Sequence, residues 1–149
     1  MDERELLKER FKSAVSSAVK AISENFDFEI KFDNSNTSKK NSLNLPEVAN
    51  LKSLQDFTNL RAFADSEALK IKYKDKKIYH KNEPNGAMSK TLYAIAEKIR
   101  YEKIGSDEFK GIKKNINAAF NDYKNKGGLK DNLNKNKKEI LIEEKFDSY

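Results

Sequence analysis

The apolar residues of this chain recur with a helical period along most of its length and alternate in only one short segment. In residues 2–23 they are spaced three, four and seven apart, so they line one side of a helix. Residues 26–32 instead read Phe-Asp-Phe-Glu-Ile-Lys-Phe, the period-two pattern of a strand with one buried face. This change of period predicts an α+β fold that is mainly α-helical.

The predicted strand needs a partner strand to complete its backbone hydrogen bonds. The best local candidate is the segment Asn41–Leu45, which lies directly before Pro46. Residues 33–40, between the two segments, are polar and turn-forming. We therefore predict a small β-hairpin after the first helix.

Helical spacing returns in the second half of the chain. One helix is predicted over residues 54–71 and another over residues 89–104, with Gly105 as its carboxy-terminal stop. A further helix is predicted over residues 106–120, while the lysine-rich residues 70–81 indicate short extended pieces. The chain is thus expected to contain about four helices.

The composition changes after residue 120. Residues 1–120 carry the periodic apolar pattern of one domain, whereas residues 121–149 are rich in lysine and asparagine and have few apolar side chains. We interpret residues 121–149 as a tail or linker.

Several kinds of catalytic site are excluded by the residue types present. The chain has no cysteine, so disulfides, thiolate zinc sites and cysteine nucleophiles are absent. His80 is the only histidine and has no second histidine with which to build a metal centre. None of the glycine-rich nucleotide-binding motifs occurs either. The sequence therefore shows no complete catalytic site and no site that binds a cofactor.

No segment of the sequence has the composition of a membrane anchor. The longest apolar runs fall far short of the ~20 residues that cross a bilayer. The first ten residues are densely charged and lack the apolar core of a signal peptide. We expect a cytoplasmic protein that does not bind membranes.

One short motif has the spacing of a metal site. Asp33, Ser35 and Thr37 fit the D-x-S-x-S/T pattern, in which a carboxylate and two hydroxyls hold Mg²⁺ through oxygen. That motif normally follows a fully buried parallel strand, and the strand before it is half polar. We therefore interpret these residues as an ordinary hairpin loop.

The net charge leaves a second function open. The formal charge is +6, and lysines are dense over Lys110–Lys138. A basic nucleic-acid-binding protein would use this segment as its footprint. The basic residues are mostly lysine rather than arginine, however, and lysine reads phosphates and bases less specifically. Nucleic-acid binding is therefore kept as the alternative function.

Two segments resemble a known family. Residues 61–69, Arg-Ala-Phe-Ala-Asp-Ser-Glu-Ala-Leu, are similar to the R-x-x-A-D-S-x-A-L segment in the amino-terminal region of CobT-type cobaltochelatase subunits. Residues 97–105, Glu-Lys-Ile-Arg-Tyr-Glu-Lys-Ile-Gly, are similar to that family's E-x-x-R-x-E-x-I-G segment. The family's G-V-x-x-N-L pattern resembles residues 111–116, Gly-Ile-Lys-Lys-Asn-Ile. Both the order and the distance between the segments agree with the family.

The resemblance implies a part in an ATP-dependent cobaltochelatase, a ligase that forms cobalt–nitrogen bonds by inserting cobalt into a corrin ring during aerobic cobalamin synthesis. In that system a CobS-like AAA+ ATPase and CobT act on a CobN-like large subunit. Cobalt, ATP and Mg²⁺ would be used by the complex, with none of them bound by this chain. The family's carboxy-terminal metal-binding domain and acidic linker are not part of the resemblance.

This chain would therefore act as a non-catalytic assembly module that docks CobT to its AAA+ ATPase or to the chelatase subunit, with homo-oligomerisation left open. The charged and polar residues of the matched segments would either join helices to each other or face a partner. They are Arg61, Asp65, Ser66, Glu97, Arg100 and Glu102.

Overall fold

The computed structural model describes residues 1–35 and 39–127. These residues form two compact units, Met1–Lys72 and a second unit that begins at Tyr73. The elements in chain order are α1 (Glu3–Ser23), β1 (Glu29–Phe32), β2 (Ser42–Leu45), α2 (Leu54–Tyr73), α3 (Lys76–Asn82), α4 (Ala87–Glu108) and α5 (Lys110–Asn125). The predicted α+β, mainly helical class is confirmed, with five helices in the described part rather than about four.

Helix α1 begins and ends with well-formed caps. The Asp2 carboxylate accepts a hydrogen bond of 2.6 Å from the backbone N–H of Arg4, which satisfies one of the N–H groups left open at a helix start. Glu24 closes the helix in the left-handed conformation, with φ of 56°. Val15 and Val19 are fully buried, so the second half of α1 supplies the core.

The prediction of a hairpin is wrong, because β1 and β2 run parallel. Glu29 pairs with Ser42 and Phe32 pairs with Leu45. The alternation of apolar and polar residues has the same period in parallel and antiparallel strands. It therefore predicts a strand but not the direction of the partner strand. Asn41, with φ of 65°, directly precedes β2, and its carbonyl oxygen accepts a hydrogen bond of 3.0 Å from the N–H of Glu29.

Helices α1 and α2 are parallel neighbours in the first unit. The rings of Phe11 and Phe57 meet edge to face at 4.8 Å between centroids, and the Lys72 ammonium lies 3.0 Å from the Glu24 carboxylate. These contacts advance in the same direction along both helices, so the amino-terminal ends of α1 and α2 lie together. Helix α2 buries side chains around most of its circumference, namely Leu60, Ala62, Ala64, Asp65, Ser66, Ala68 and Leu69.

Residues 70–81 are helical except for Lys74 and Asp75, which corrects the prediction of extended pieces. Helix α2 continues to Tyr73, and α3 follows after a short break. The Asp75 carboxylate accepts hydrogen bonds from the N–H groups of Lys77, at 2.9 Å, and Ile78, at 3.1 Å. This aspartate starts α3 in the usual manner of an N-cap residue.

Helix α4 does not stop at Gly105. It begins at Ala87, two residues before the predicted start at residue 89, and continues through the buried Gly105 to Glu108. A glycine inside a helix costs about 1 kcal/mol relative to alanine, and its burial shows that tertiary packing outweighs this cost here. The break occurs at Phe109, where the backbone is extended, and α5 starts at Lys110.

Helix α5 packs against α4 within the second unit and runs past the predicted domain end at residue 120, to Asn125. Ile112 is buried, whereas the later apolar residues of α5 are half-buried or exposed. The remainder of the predicted tail, from residue 128, lies outside the described residues. The division into a domain of residues 1–120 and a tail stays a prediction.

Candidate functional site

The first matched segment places a carboxylate inside the first unit. Asp65 is fully buried on α2, and its Oδ1 accepts a hydrogen bond of 2.8 Å from Nε of Arg61, one turn earlier. The Arg61 side chain is 31% exposed while that of Asp65 is 0% exposed. The partly exposed Arg61 guanidinium is therefore paired with a carboxylate that water does not reach.

Small side chains surround this pair on α2. Ala62, Ala64 and Ala68 are buried, as is Ser66 beside Asp65. Side chains of this size allow neighbouring elements to approach the α2 backbone closely. The conspicuous small residues of the matched segment thus contribute to packing.

The second matched segment forms an ion pair within α4. The Arg100 guanidinium donates to both oxygens of Glu97, with distances of 2.9 Å from Nε and 2.7 Å from Nη2. Nη2 of Arg100 also donates to the carbonyl oxygen of Tyr73 at 2.7 Å. Tyr73 ends α2, and its hydroxyl donates to the Glu108 carboxylate. Tyr73 is therefore hydrogen-bonded to Arg100 through its backbone carbonyl and to Glu108 through its side-chain hydroxyl.

These hydrogen bonds shift the acidity of the pair. The hydrogen bond from Arg100 holds the pKa of Glu97 below its usual value of 4.5, against the opposing effect of partial burial. The same bond raises the pKa of Arg100 above its usual value. The pair therefore remains fully ionised at neutral pH.

Replacing Glu97 with glutamine is expected to lower the free energy of unfolding at neutral pH by about 1 kcal/mol, a small value because Arg100 is partly exposed. The folded-state pKa of Glu97 lies below its unfolded-state value. The stabilisation is therefore present above the unfolded pKa and is lost as pH falls through the folded pKa. Urea unfolding of both proteins from about pH 7 to about pH 3 should show the difference shrinking at the acidic end. A difference that stays constant with pH would contradict this account.

Aromatic side chains hold α3 against α4 beside this pair. The Tyr79 and Tyr93 rings lie 4.7 Å apart between centroids, and the Lys74 ammonium sits 3.6 Å above the Tyr79 ring. Burial, assisted by the charge of Glu83, raises the pKa of Tyr79. The Tyr79 ring thus contacts both Lys74 and Tyr93.

The remaining predicted site residue, Glu102, is half-buried on α4, directly after the buried Tyr101. The structure brings together Arg61 with Asp65 and Glu97 with Arg100. Whether these residues join helices or also meet a partner stays a prediction. Sequence reasoning missed Tyr73, which lies 27 residues from Arg100 and carries no local signal for that contact.

The candidate magnesium motif forms a turn stabilised by its own side chains. The Asp33 carboxylate accepts hydrogen bonds from the Ser35 hydroxyl, at 2.6 Å, and from the Ser35 N–H, at 2.9 Å. These bonds lower the pKa of Asp33. Nδ2 of Asn44, on β2, donates to the Ser35 carbonyl at 2.8 Å. Thr37, the third residue of the motif, lies outside the described residues.

Three exposed leucines lie near the amino-terminal ends of α1 and α2. Leu54 is 85% exposed at the start of α2, and Leu7 is 58% exposed one turn before Phe11 on α1. Leu6 is also exposed. We call these three residues the leucine end. The sequence predicted that the apolar residues of 2–23 line one side of α1, whereas the first buried residue of this helix is Val15.

Two kinds of feature are absent from the described residues. In residues 1–35 and 39–127, no group of three or more histidine, cysteine, aspartate or glutamate side chains is arranged to hold a metal ion. No helix in the same part of the chain combines the length and apolar character needed to span a bilayer.

Comparison with known proteins gives one family. The model of the family described as cobalamin biosynthesis protein CobT matches residues 6–143, nearly the whole chain. The match includes both of the segments that contain the ion pairs. No solved structure matches the chain.

Proposed function

The chain belongs to the CobT family of cobalamin biosynthesis proteins, and on that basis we propose that it is a non-catalytic assembly module of an ATP-dependent cobaltochelatase. In this role it docks to the CobS-like AAA+ ATPase, and the resulting complex acts on a CobN-like large subunit. Cobalt and ATP with Mg²⁺ are used by the complex rather than held by this chain. The cytoplasm is the compartment in which we expect it to act.

The observation that carries the docking proposal is the exposure of large apolar side chains at the leucine end. Leu54 and Leu7 leave most of their surface in water, although fully burying a leucine side chain is worth roughly 1.5–3 kcal/mol. Apolar side chains grouped on one surface are typical of the centre of a protein interface. The AAA+ ATPase is the partner that we assign to this surface.

The charged side chains of the matched segments are less suited to serve as the docking surface. Asp65 is fully buried, and the two oxygens of Glu97 are occupied by Arg100. Breaking such pairs to bind a partner would cost free energy, whereas burying the exposed leucines would contribute favourable free energy to binding. We therefore place docking at the leucine end and assign the ion pairs to the integrity of the module.

The test is co-elution of the full chain with the cognate CobS-like ATPase, measured by size-exclusion chromatography with light scattering, with and without ATP. We expect a complex of defined stoichiometry. The double variant Leu7→Glu/Leu54→Glu should weaken binding by about tenfold or more for each leucine, since a factor of ten corresponds to 1.4 kcal/mol. The matched control is Ile78→Glu, which places the same charge at an exposed apolar residue of α3.

The possible outcomes test the docking function and the assigned leucine end separately. If the folded wild-type chain forms no complex with the ATPase, the docking function is refuted. If a complex forms and the leucine double variant binds as tightly as Ile78→Glu, the function stands and the assigned surface is wrong. Circular dichroism of each variant shows whether a loss of binding reflects a loss of folding.

A further inference from the structure

Helix α5 has an unusual distribution of charge. Its exposed side chains include four lysines, which we call the lysine face: Lys110, Lys113, Lys114 and Lys124. Its one acidic residue, Asp122, is bound to Lys126 at 2.9 Å. The positive charge of the lysine face is therefore not balanced from within the helix.

Two other lysines in the second unit have carboxylate partners. Lys103 pairs with Asp107 at 2.8 Å, and Lys90 pairs with Glu83 at 3.4 Å. By contrast, Lys110, Lys113 and Lys114 make no ion pair with any residue in the described part of the chain. Three cations concentrated on one short helix attract an anionic partner.

The lysine face borders an apolar stripe that is only partly covered. Phe120 lies seven positions after Lys113 and four before Lys124, so all three lie on neighbouring positions of the helix surface. The Lys124 ammonium is 5.1 Å from the centre of the Phe120 ring. Ile112 is buried, whereas Ile116 and Phe120 are half-buried and Tyr123 is exposed. The surface thus offers positive charge and apolar contact side by side.

The carboxy-terminal sequence of this chain has the complementary chemistry. Residues 139–147 read Glu-Ile-Leu-Ile-Glu-Glu-Lys-Phe-Asp, with four acidic residues, one lysine and four large apolar residues. A segment of this composition matches both the lysines and the apolar stripe of α5.

The linker between α5 and residues 139–147 is long enough for that segment to reach the lysine face. Helix α5 ends at Asn125, and residues 126–138 span up to about 40 Å when extended, at roughly 3.3 Å per residue. A helix of the length of α5 measures about 24 Å at 1.5 Å per residue. Covalent linkage of this length gives an effective concentration on the order of millimolar, so even a weak contact is populated.

We propose that residues 139–147 bind the lysine face of α5 in the same molecule. Carboxylates of the segment pair with Lys113 and Lys114, and its apolar side chains cover Phe120 and Ile116. The contact shields a basic surface from other polyanions. This inference does not depend on the chelatase function, because it rests on α5 and on the sequence of the carboxy-terminal segment.

The absence of cysteine makes a direct test practicable. A nitroxide attached to Ser148→Cys would be the only spin label on the full chain. We expect it to broaden the amide resonances of residues 113–124, relative to the same protein carrying a reduced label. Glu143→Lys/Glu144→Lys should abolish the broadening. Adding Lys113→Glu/Lys114→Glu to that variant should restore it, since the charges are then exchanged across the contact.

The control variant is Lys98→Glu, which reverses an exposed lysine of α4 and should leave the broadening unchanged. No broadening in the wild-type chain, or no recovery in the charge-exchanged variant, would overturn the proposal. Broadening found only between spin-labelled and isotope-labelled copies would assign the contact to a second molecule and also overturn it. So would single-stranded RNA binding that depends on Lys113 and Lys114 but is unchanged by Glu143→Lys/Glu144→Lys, because the lysine face would then be open to nucleic acid.

Discussion

Replacing Arg61 with alanine is expected to lower the free energy of unfolding by about 3 kcal/mol. The substitution leaves the Asp65 carboxylate buried without its guanidinium partner, and removing one member of a buried ion pair costs roughly 3–5 kcal/mol. The lower end applies because Arg61 is 31% exposed while Asp65 is 0% exposed. Urea denaturation followed by circular dichroism measures the difference.

The matched control for Arg61→Ala is Lys103→Ala. Lys103 and Asp107 have the same i,i+4 spacing on a helix and a 2.8 Å contact, but both side chains are more than half exposed. Such surface pairs contribute about 0.3–0.5 kcal/mol. A double-mutant cycle of Arg61→Ala with Asp65→Ala isolates the coupling between the two residues. Equal losses for Arg61→Ala and Lys103→Ala would show that the burial of Asp65 does not matter.

Replacing Leu69 with alanine is expected to cost about 3 kcal/mol, within the usual range of roughly 2–5 kcal/mol for leucine deletions in a core. Leu69 is fully buried on α2, a helix whose surroundings cannot easily collapse because it is covered on most sides. Part of the cost is the lost burial of apolar surface, and the rest is the cavity left behind. The midpoint and slope of the urea transition give the change.

Phe63 provides the comparison on the same helix. It is larger than Leu69 but 45% exposed, so Phe63→Ala should cost less than about 1 kcal/mol despite removing more atoms. A larger loss of unfolding free energy for Phe63→Ala than for Leu69→Ala would contradict this account, because it would mean that the side of α2 carrying Phe63 is the buried one.

Much of the fold follows from local patterns. The 3.6-residue period predicted α1, α2 and α4, and the four-residue spacing of Arg61 and Asp65 on α2 accounts for their contact. Both features depend on residues close together in the chain, for which the geometry of a helix fixes the distance. The burial of Asp65 was not predictable in this way, because it depends on how α2 is covered.

The errors arose where contacts distant in sequence overrode local signals. Gly105 has the preference of a helix stop, yet its burial keeps it within α4. The alternation over residues 26–32 predicted a strand but contained no information on the direction of its partner. The contact of Arg100 with the Tyr73 carbonyl was likewise unpredictable, since any residue could provide a backbone oxygen.

The parallel arrangement of α1 and α2 has an electrostatic consequence. The peptide dipoles of the two helices add instead of cancelling, which leaves partial positive charge from two helix starts at one end of the pair. Acidic side chains occupy the first turn of each helix, with Glu3 and Glu5 on α1 and Asp56 on α2. Asp56 also accepts hydrogen bonds from the N–H groups of Lys52 and Ser53. The helix pair thus neutralises its own dipoles, so the docking that we propose at the leucine end would depend on apolar contact rather than on charge.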